Sequence, residues 1–362
     1  MTNKLQNTRI EFHILQSFPV SCLNRDDVGS LKSAMIGGTQ RARVSSQCWK
    51  RAIRLAMHDY CGVQTASRTR LVQGLIADAC TALGATTEQA LACGETAAKA
   101  LTKTVKDGES DTLFFISKAE ANAFAEYFKA NAFDAEKAAK ELLKVIKSNV
   151  NTVMDGVDIA LFGRMAASAP EVNVEAAASV AHAISTHKVA SEVEFFTAVD
   201  DVKVENDLQG SGHMGSLEFN SATYYRYVSL DLGQLLTNLG GDASLDLSKA
   251  IEAFTKALYL AIPSARQTTM TASTIWDYAR VLIRKGQRIQ ASFEKAVTTS
   301  KDTPTILAAS KVQLKDQLDR TEKLSGSLYG KIASFEFGEN PDFSIDDLAA
   351  GLSAKVRELQ AQ

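Results

Sequence analysis

Between Val63 and Asn151 the chain carries helical periodicity, whereas the segments on both sides alternate like strands, and no other feature limits the fold as much. The stretch is rich in Ala, Lys, Glu and Leu. Its runs AKALTKTV and AEKAAKELLKVIKSNV repeat apolar residues at helical spacing, with only short Gly, Ser and Asp clusters between them. A helical block inside a strand-patterned chain reads as an insertion into an α+β core.

The flanks supply that core. Thr8 to Phe18 alternates Ile10, Phe12 and Ile14 with Glu11 and His13, which predicts a half-buried strand ending at Pro19. Gly37-Gly38 predicts a turn. Ser45-Ser46-Gln47 then opens a helix, with Ser45 or Ser46 as N-cap and Trp49, Ile53 and Met57 at helical spacing. Beyond the insertion, SVAHAISTH around Val180 is strand-like again. Asp200 to Asn220 is polar and too long for a hairpin turn, so it is expected to project as an arm or ordered loop. Tyr224 to Leu232 alternates as a strand, and Leu247 to Ile262 is an amphipathic helix stopped by Pro263. Arg266 to Ser273 and Tyr278 to Ile283 are strand candidates. Ala291 to Thr298, Ile306 to Leu328 and Ile345 to Gln360 are helix candidates. The order suggests a split βαβ or ferredoxin-like sheet, a common RNA-binding platform.

With 362 residues the chain has room for two domains, or for one core with large insertions. Its 40 basic and 42 acidic residues do not announce a nucleic-acid binder, which is usually basic overall. Locally the balance differs. Residues 21 to 54 hold Arg25, Lys32, Arg41, Arg43, Lys50, Arg51 and Arg54 against Asp26 and Asp27 alone, which points to an anion site. Five cysteines without a CxxC pair fit free thiols in a reducing compartment. The first residues lack a signal-peptide pattern and no apolar run is long enough to span a membrane, so a cytoplasmic protein is expected.

Catalytic motifs are missing. There is no GxSxG, no HExxH, no P-loop, and no GxGxxG between a strand and a helix; the glycines of GSGHMG sit in the polar arm. Asp26-Asp27 offers a metal ligand or general base, but without further ligands nearby the plainer role is to cap a local turn or pair with Arg25. The scattered histidines, His182 and His187 among them, read as structural.

Nucleic-acid contact has more support. Lys50 and Arg54 are i,i+4 neighbours with Gln47 one turn before them, Arg41 and Arg43 alternate on an extended lead-in, and Ser45 and Ser46 offer hydroxyls and amides at a helix start. A solvated basic face is the competing account. In ALFGRMAAS, Arg164 and Met165 follow Gly163, where a methionine is commonly core filler. In EVEFFTAVDD one of Phe195 and Phe196 must point away from the core, where it can stack on a base.

The segments SCLNRDDVGSLKSAMIGGTQRARVSSQCWKRAIR, GVDIALFGRMAAS, SVAHAISTHKV, FFTAVDD and GSGHMGSLEFNSATYYRYV, in this order, closely resemble the backbone subunit (CasC, or Cse-type) of the type I-E CRISPR Cascade complex. The resemblance implies an α+β fold: a modified RRM-like (ferredoxin-like) palm (1–61, 178–188 and 220–362), inserted helical fingers (62–177) and a β-hairpin thumb (189–219). It also implies a non-catalytic protein with no cofactor and no metal. Several copies polymerise along a CRISPR RNA beside other Cascade subunits, each kinking the guide with its thumb and leaving the other bases to pair with target DNA. Carried over by position, guide contacts fall on Arg25, Lys32, Ser45, Gln47, Lys50 and Arg54, with Arg41 and Arg43 joining them by charge. The wedge at the kink falls on Met165, Phe196 and Thr197, beside Arg164, and His213 and Met214 belong to the thumb tip. Trp49 is expected to pack. The alternative is a metal-dependent ribonuclease using Asp26 or Asp27.

Overall fold

The computed structural model describes residues 4–144, 156–166, 168–199, 211–240 and 244–361, with the backbone alone at 199, 211–213 and 244–246. In chain order the first strands are β1 (Thr8–Ser21), β2 (Ser33–Ile36) and β3 (Thr39–Val44), followed by helix α1 (Ser46–Tyr60). Next come β4 (Ser67–Thr69), α2 (Val72–Ala82), α3 (Thr87–Thr102), β5 (Val105–Lys106), β6 (Glu109–Ser110) and β7 (Phe114–Ile116). Helices α4 (Lys118–Ala130), α5 (Ala135–Ala138) and α6 (Val157–Phe162) lead to β8 (Ala178–Val180), β9 (Ala183–Ser185), β10 (Glu192–Val199) and β11 (Ser211–Asp231). The rest is α7 (Leu232–Asn238), α8 (Ser244–Leu260), α9 (Gln267–Met270), β12 (Tyr278–Lys285), α10 (Ile306–Ser325), β13 (Lys331–Phe337) and α11 (Ile345–Ala361).

The fold is mixed α/β around a large antiparallel sheet. Nine strands form it in the order β13-β12-β1-β11-β9-β3-β2, with β8 and β10 also paired to β11. β1 is an interior strand, bonded to β11 (Ile10 opposite Leu230) and to β12 (Ile10 opposite Ile283). It does not stop at Pro19. One extra residue enters between the pairs Phe18–Ala222 and Ser21–Asn220, and a bulge of this kind tolerates a residue with no N–H to donate. Gly37 and Gly38, both at positive φ, make the two-residue turn between β2 and β3.

One face of the sheet carries Ile10, Phe12 and Ile14. They pack with Trp49, Ile53 and Met57 of α1, with Leu247, Ile251, Phe254 and Leu258 of α8, and with Leu348, Leu352 and Val356 of α11. Each such side chain contributes roughly 1.5–3 kcal/mol by leaving water. Trp49 is a packing residue as expected, with the Arg226 guanidinium 3.7 Å from its ring centroid.

The opposite face is not solvated. Glu11 and His13 are fully buried, so the half-buried strand expected from the alternation is covered on both sides. The cover is α10, through Leu314 and Leu318, and a strap without regular structure over 287–305 that seats Ala291, Phe293 and Val297 against Tyr225, Tyr227 and Tyr278. Polar residues survive there because they are paired. The Glu11 carboxyl accepts from Arg284 Nη1 at 2.5 Å, from Tyr227 Oη at 2.5 Å and from the Ile289 amide at 2.9 Å. The Ala291 amide donates to Tyr225 Oη at 3.1 Å, which leaves the phenolic proton for His13 Nδ1 at 2.9 Å.

These bonds explain why Ala291 to Thr298 is not a helix. Its backbone groups are claimed from outside: Phe293 and Glu294 carbonyls by Arg41, the Lys295 carbonyl by Gln313, and the Val297 amide by the Thr186 carbonyl. Arg41 was expected in a phosphate track and is instead sealed in the interior. Its guanidinium donates to four carbonyls, those of Ser185 (2.9 Å), Thr186 (3.1 Å), Phe293 (3.0 Å) and Glu294 (3.1 Å). Arg266 to Ser273 is likewise not a strand but the short α9 flanked by positive-φ residues Arg266, Thr271 and Ala272. Tyr278 to Ile283 and the helices from Ile306 and Ile345 form as expected, whereas β13 was not foreseen.

The helical stretch has its own core, built from Val72, Ile76, Cys80, Cys93, Ala97, Phe124 and Phe128. Capping boxes start its helices, Thr86 with Gln89 for α3 and Ser117 with Glu120 for α4. All five cysteines are free thiols. Among the described residues no helix is long and apolar enough to cross a membrane.

Two predictions follow from the covered face. Burial, Arg284 and Arg280 together lower the His13 pKa from 6.5 to about 3, so the unfolded chain binds a proton that the folded one refuses. Stability is therefore full above 6.5 and falls as pH drops below it, at up to about 1.4 kcal/mol per pH unit. Urea titrations at stepped pH will show this slope, and His13→Gln will flatten it. Arg41→Ala will lower stability by about 2–4 kcal/mol, as four buried carbonyls lose their donor, while Arg43→Ala stays within about 0.5 kcal/mol by the same urea midpoints.

Candidate nucleic-acid interface

Helix α1 begins where it does because Ser45 is extended (φ −67°, ψ 148°) and its Oγ accepts the Cys48 amide. Two neighbouring amides are also held: Ser45 N–H by Asn24 Oδ1 at 3.0 Å and Ser46 N–H by His182 Nδ1 at 3.2 Å. Ser45 is thus a buried cap rather than an open hydroxyl. With Trp49, Ala52, Ile53, Ala56 and Met57 turned inward, the same helix presents an exposed Gln47 and a half-buried Lys50 on its other side. No acidic residue lies in its first turn.

Lys50 reaches towards α6, its Nζ 5.9 Å from the Phe162 ring centroid, and partial burial pulls its pKa below the ordinary lysine value. Arg54, one turn on, is committed further. Its Nε donates to Asp158 Oδ2 at 2.7 Å, its Nη2 to the Ala66 carbonyl at 3.3 Å, and its guanidinium lies 5.0 Å from the Phe115 ring centroid. Asp158 is buried, which raises its pKa against the opposing pull of the Ala66 amide and Arg54. Arg54 therefore ties α1 to the helical insertion.

On the other side of the α1 start, Arg43 is half-buried. It donates through Nε to the Ser33 carbonyl at 3.2 Å, and its Nη1 lies 3.5 Å from His182 Nδ1. The Lys32 carbonyl accepts the Arg43 amide, and Arg25 is exposed beside the Arg25–Leu31 bridge. Between them Asp26 Oδ1 accepts the amides of Val28 (3.0 Å) and Ser30 (2.9 Å), so this carboxylate organises a turn. Asp27 is exposed. No group of three or more His, Cys, Asp or Glu able to hold a metal ion occurs among the described residues.

The turn is clasped to the β10–β11 hairpin. Glu218 accepts from Ser30 Oγ at 2.9 Å and from the Leu31 amide at 3.0 Å. In this hairpin Thr197 pairs with Met214 and Phe196 with Gly215. Consecutive strand residues face opposite ways, so Thr197 shares the Glu218 face with Phe195 and Met214, and Phe196 lies on the other. Phe195 is 82% exposed and Met214 71%. Phe196 lies across Gly215, where a Cβ would come within 2.6 Å of its ring. His213 pairs with Ala198 through the backbone; its side chain and residues 200–210 of the polar arm lie outside the described residues.

Arg164 and Met165 divide sharply. Arg164 is buried, bonded to Glu120 at 2.8 Å, to the carbonyls of Phe115 and Val172, and stacked over Phe114. That anchor leaves Met165 projecting at 83% exposure, not filling a core. The structure thus gathers Arg25, Lys32, Arg43, Gln47 and Lys50 at the surface around the α1 start, and it withdraws Arg41, Ser45 and Arg164 into the protein. His182 joins this surface although the sequence marked it as structural, because SVAHAISTH, expected as one strand-like run, breaks into β8 and β9 with His182 between them.

The fold is shared with chains of known structure. A chain of a solved "CRISPR RNA-guided surveillance complex, pre-nicking" matches with a TM-score of 0.79 and 28% identity, over 96% of this chain and 99% of that one. A chain of a "CRISPR RNA-guided surveillance complex" shares the fold at a TM-score of 0.64 and 22% identity, over 96% and 99%. No curated protein matches significantly. The model of the CT1975-like protein, a Cas family, matches residues 10–344, which takes in the sheet, the helical insertion and the hairpin alike, and the chain belongs to that family.

Proposed function

We propose that this chain is a non-catalytic guide-RNA-binding backbone subunit of a type I-E Cascade complex. The observation that carries the reading is the exposed cluster of Arg25, Lys32, Arg43, Gln47 and Lys50 on a protein whose net charge is only −2. A local basic wall on a near-neutral subunit suits a phosphate backbone of any sequence, and it spares stacked copies the mutual repulsion of a wholly basic protein. In this reading the sheet is the palm, the helical insertion the fingers and the β10–β11 hairpin the thumb. Copies polymerise along a CRISPR RNA in the cytoplasm, alongside other Cascade subunits, and the unkinked bases pair with target DNA.

The thumb's share of the wedge, Phe196 and Thr197, is then divided between its two faces, and Met165 projects from the helical insertion. Phe196 and Met165 offer apolar surface to an unstacked base, worth about 1–3 kcal/mol for stacking on the aromatic ring. Thr197 lies on the opposite face, beside Met214 and Phe195. Engagement of Asp26 by its own turn counts against the ribonuclease alternative.

Two measurements test this. Lys32→Ala and Lys50→Ala will each weaken binding to single-stranded RNA of any sequence, and each will flatten the slope of log affinity against log salt by roughly 0.7. A double variant with the wild-type slope sinks the phosphate track. Phe196→Ala will load guide RNA normally but abolish the periodic reactive positions in a chemical footprint of the loaded guide; an unchanged footprint rules out the wedge.

A further inference from the structure

His182 stands in the short loop between β8 and β9, against the start of α1. Its Nδ1 receives the Ser46 amide at 3.2 Å and has Arg43 Nη1 at 3.5 Å. Both neighbours can only donate, so Nδ1 must hold a lone pair and the ring proton belongs on Nε2. The side chain is exposed, and Nε2 has no partner among the described residues. Protonating Nδ1 would set it donor against donor, facing the Ser46 amide of α1, Arg43 of β3 and the nearby charge of Lys32. Partial burial, Arg43 and Lys32 accordingly hold the imidazole below its usual pKa.

We infer that His182 contacts the RNA backbone directly, as an uncharged donor: its Nε2–H bonds a phosphate or ribose 2′-hydroxyl oxygen, in a tautomer fixed by the Ser46 amide. The inference rests on the guide-RNA reading above and names a contact that reading lacks. A neutral donor between two cations supplies direction without another charge. It strengthens binding by one hydrogen bond and releases no counterion, whereas Lys32 and Lys50 act through charge.

The chemistry of the ring gives the test. His182→Asn keeps an acceptor near the Nδ1 position for the Ser46 amide and removes the outward donor; His182→Gln places a donor near the Nε2 position. Binding of the full chain to a labelled mixed-sequence single-stranded RNA, and to its 2′-deoxy counterpart, is followed across salt by anisotropy. H182N will bind RNA about 3- to 10-fold more weakly at every salt concentration, with a line parallel to wild type, and H182Q will recover to within about twofold. An equal loss on the deoxy strand assigns the contact to phosphate, and a loss on RNA alone assigns it to the 2′-hydroxyl. H182N binding like wild type, H182Q as weak as H182N, or a flattened salt slope in H182N overturns the contact while leaving the basic wall in place. A wild-type chain that binds no RNA overturns both.

Discussion

The geometry of the basic wall hangs on the carboxyl of Glu11. It sits on the interior strand β1, on the face that alternation alone would leave to water, and it gathers Arg284, Tyr227 and the Ile289 amide. The last of these starts the strap over 287–305. Once the strap is laid down, its carbonyls at Phe293 and Glu294 meet Arg41, and Arg41 also grips Ser185 and Thr186 at the end of β9. β3 and β9 are thereby locked side by side, with Arg43 opposite Ile184 and Val44 opposite Ala183. That pairing brings His182, just before β9, onto the first amide of α1. A buried network far from the surface thus fixes which side chains stand at the helix start. Removing one member leaves its partners buried and unpaired, a much larger cost than the net worth of any one bond.

The parts of the fold written in local pattern were legible. The capping serine, the glycine turn and the spacing of Trp49, Ile53 and Met57 identify α1 because each is decided within one or two turns of chain. The helices of the inserted stretch were legible for the same reason, though its short strands β4 to β7 were not, and residues 145–151 at its end lie outside the described residues. What failed depended on distant partners. Nothing inside Ala291 to Thr298 says that its carbonyls will be taken by an arginine some 250 positions earlier, since separation in sequence hides tertiary hydrogen bonds. Glu11 and His13 look like a wet face until the strap covers them, because alternation reports polarity and not burial. Pro19 misled in the opposite sense: a bulge let the strand pass it.

The same limit applies to the site. Counting charges in residues 21 to 54 weights Arg41, Arg43, Lys50 and Arg54 equally, yet the fold uses them differently. Arginine presents a planar fork of donors, so it can bond several carbonyls or a carboxylate from within a core; lysine's compact ammonium is more strongly hydrated and stays nearer water. Arg41, Arg54, Arg164, Arg226 and Arg284 all follow this rule, bonding carbonyls or carboxyl groups in the interior or at the joint to the helical insertion. Lys32 and Lys50 keep partial exposure. A count of positive charge in residues 21 to 54 therefore mixes arginines that hold the fold, Arg41 and Arg54, with Arg25 and Arg51, which stay exposed.

Helix α1 joins these two uses of charge. Its first turn carries the exposed Gln47 and the amides held by Asn24 and His182, and one turn later Lys50 leans over Phe162. A further turn brings Arg54 to Asp158, whose second oxygen accepts the Ala66 amide at 2.8 Å. One helix therefore spans from the basic wall to the helical insertion, with the Arg54–Asp158 ion pair about two turns in. In the proposed reading, a polyanion lying along the near end would act on the same helix that sets the insertion's attachment. Asp158 also keeps Arg54 from competing for that polyanion, because leaving its carboxylate buried and unpaired would cost more than a surface phosphate contact returns. Along α1, therefore, Arg54 serves the joint, while Lys50 stays half-buried and Arg51 exposed.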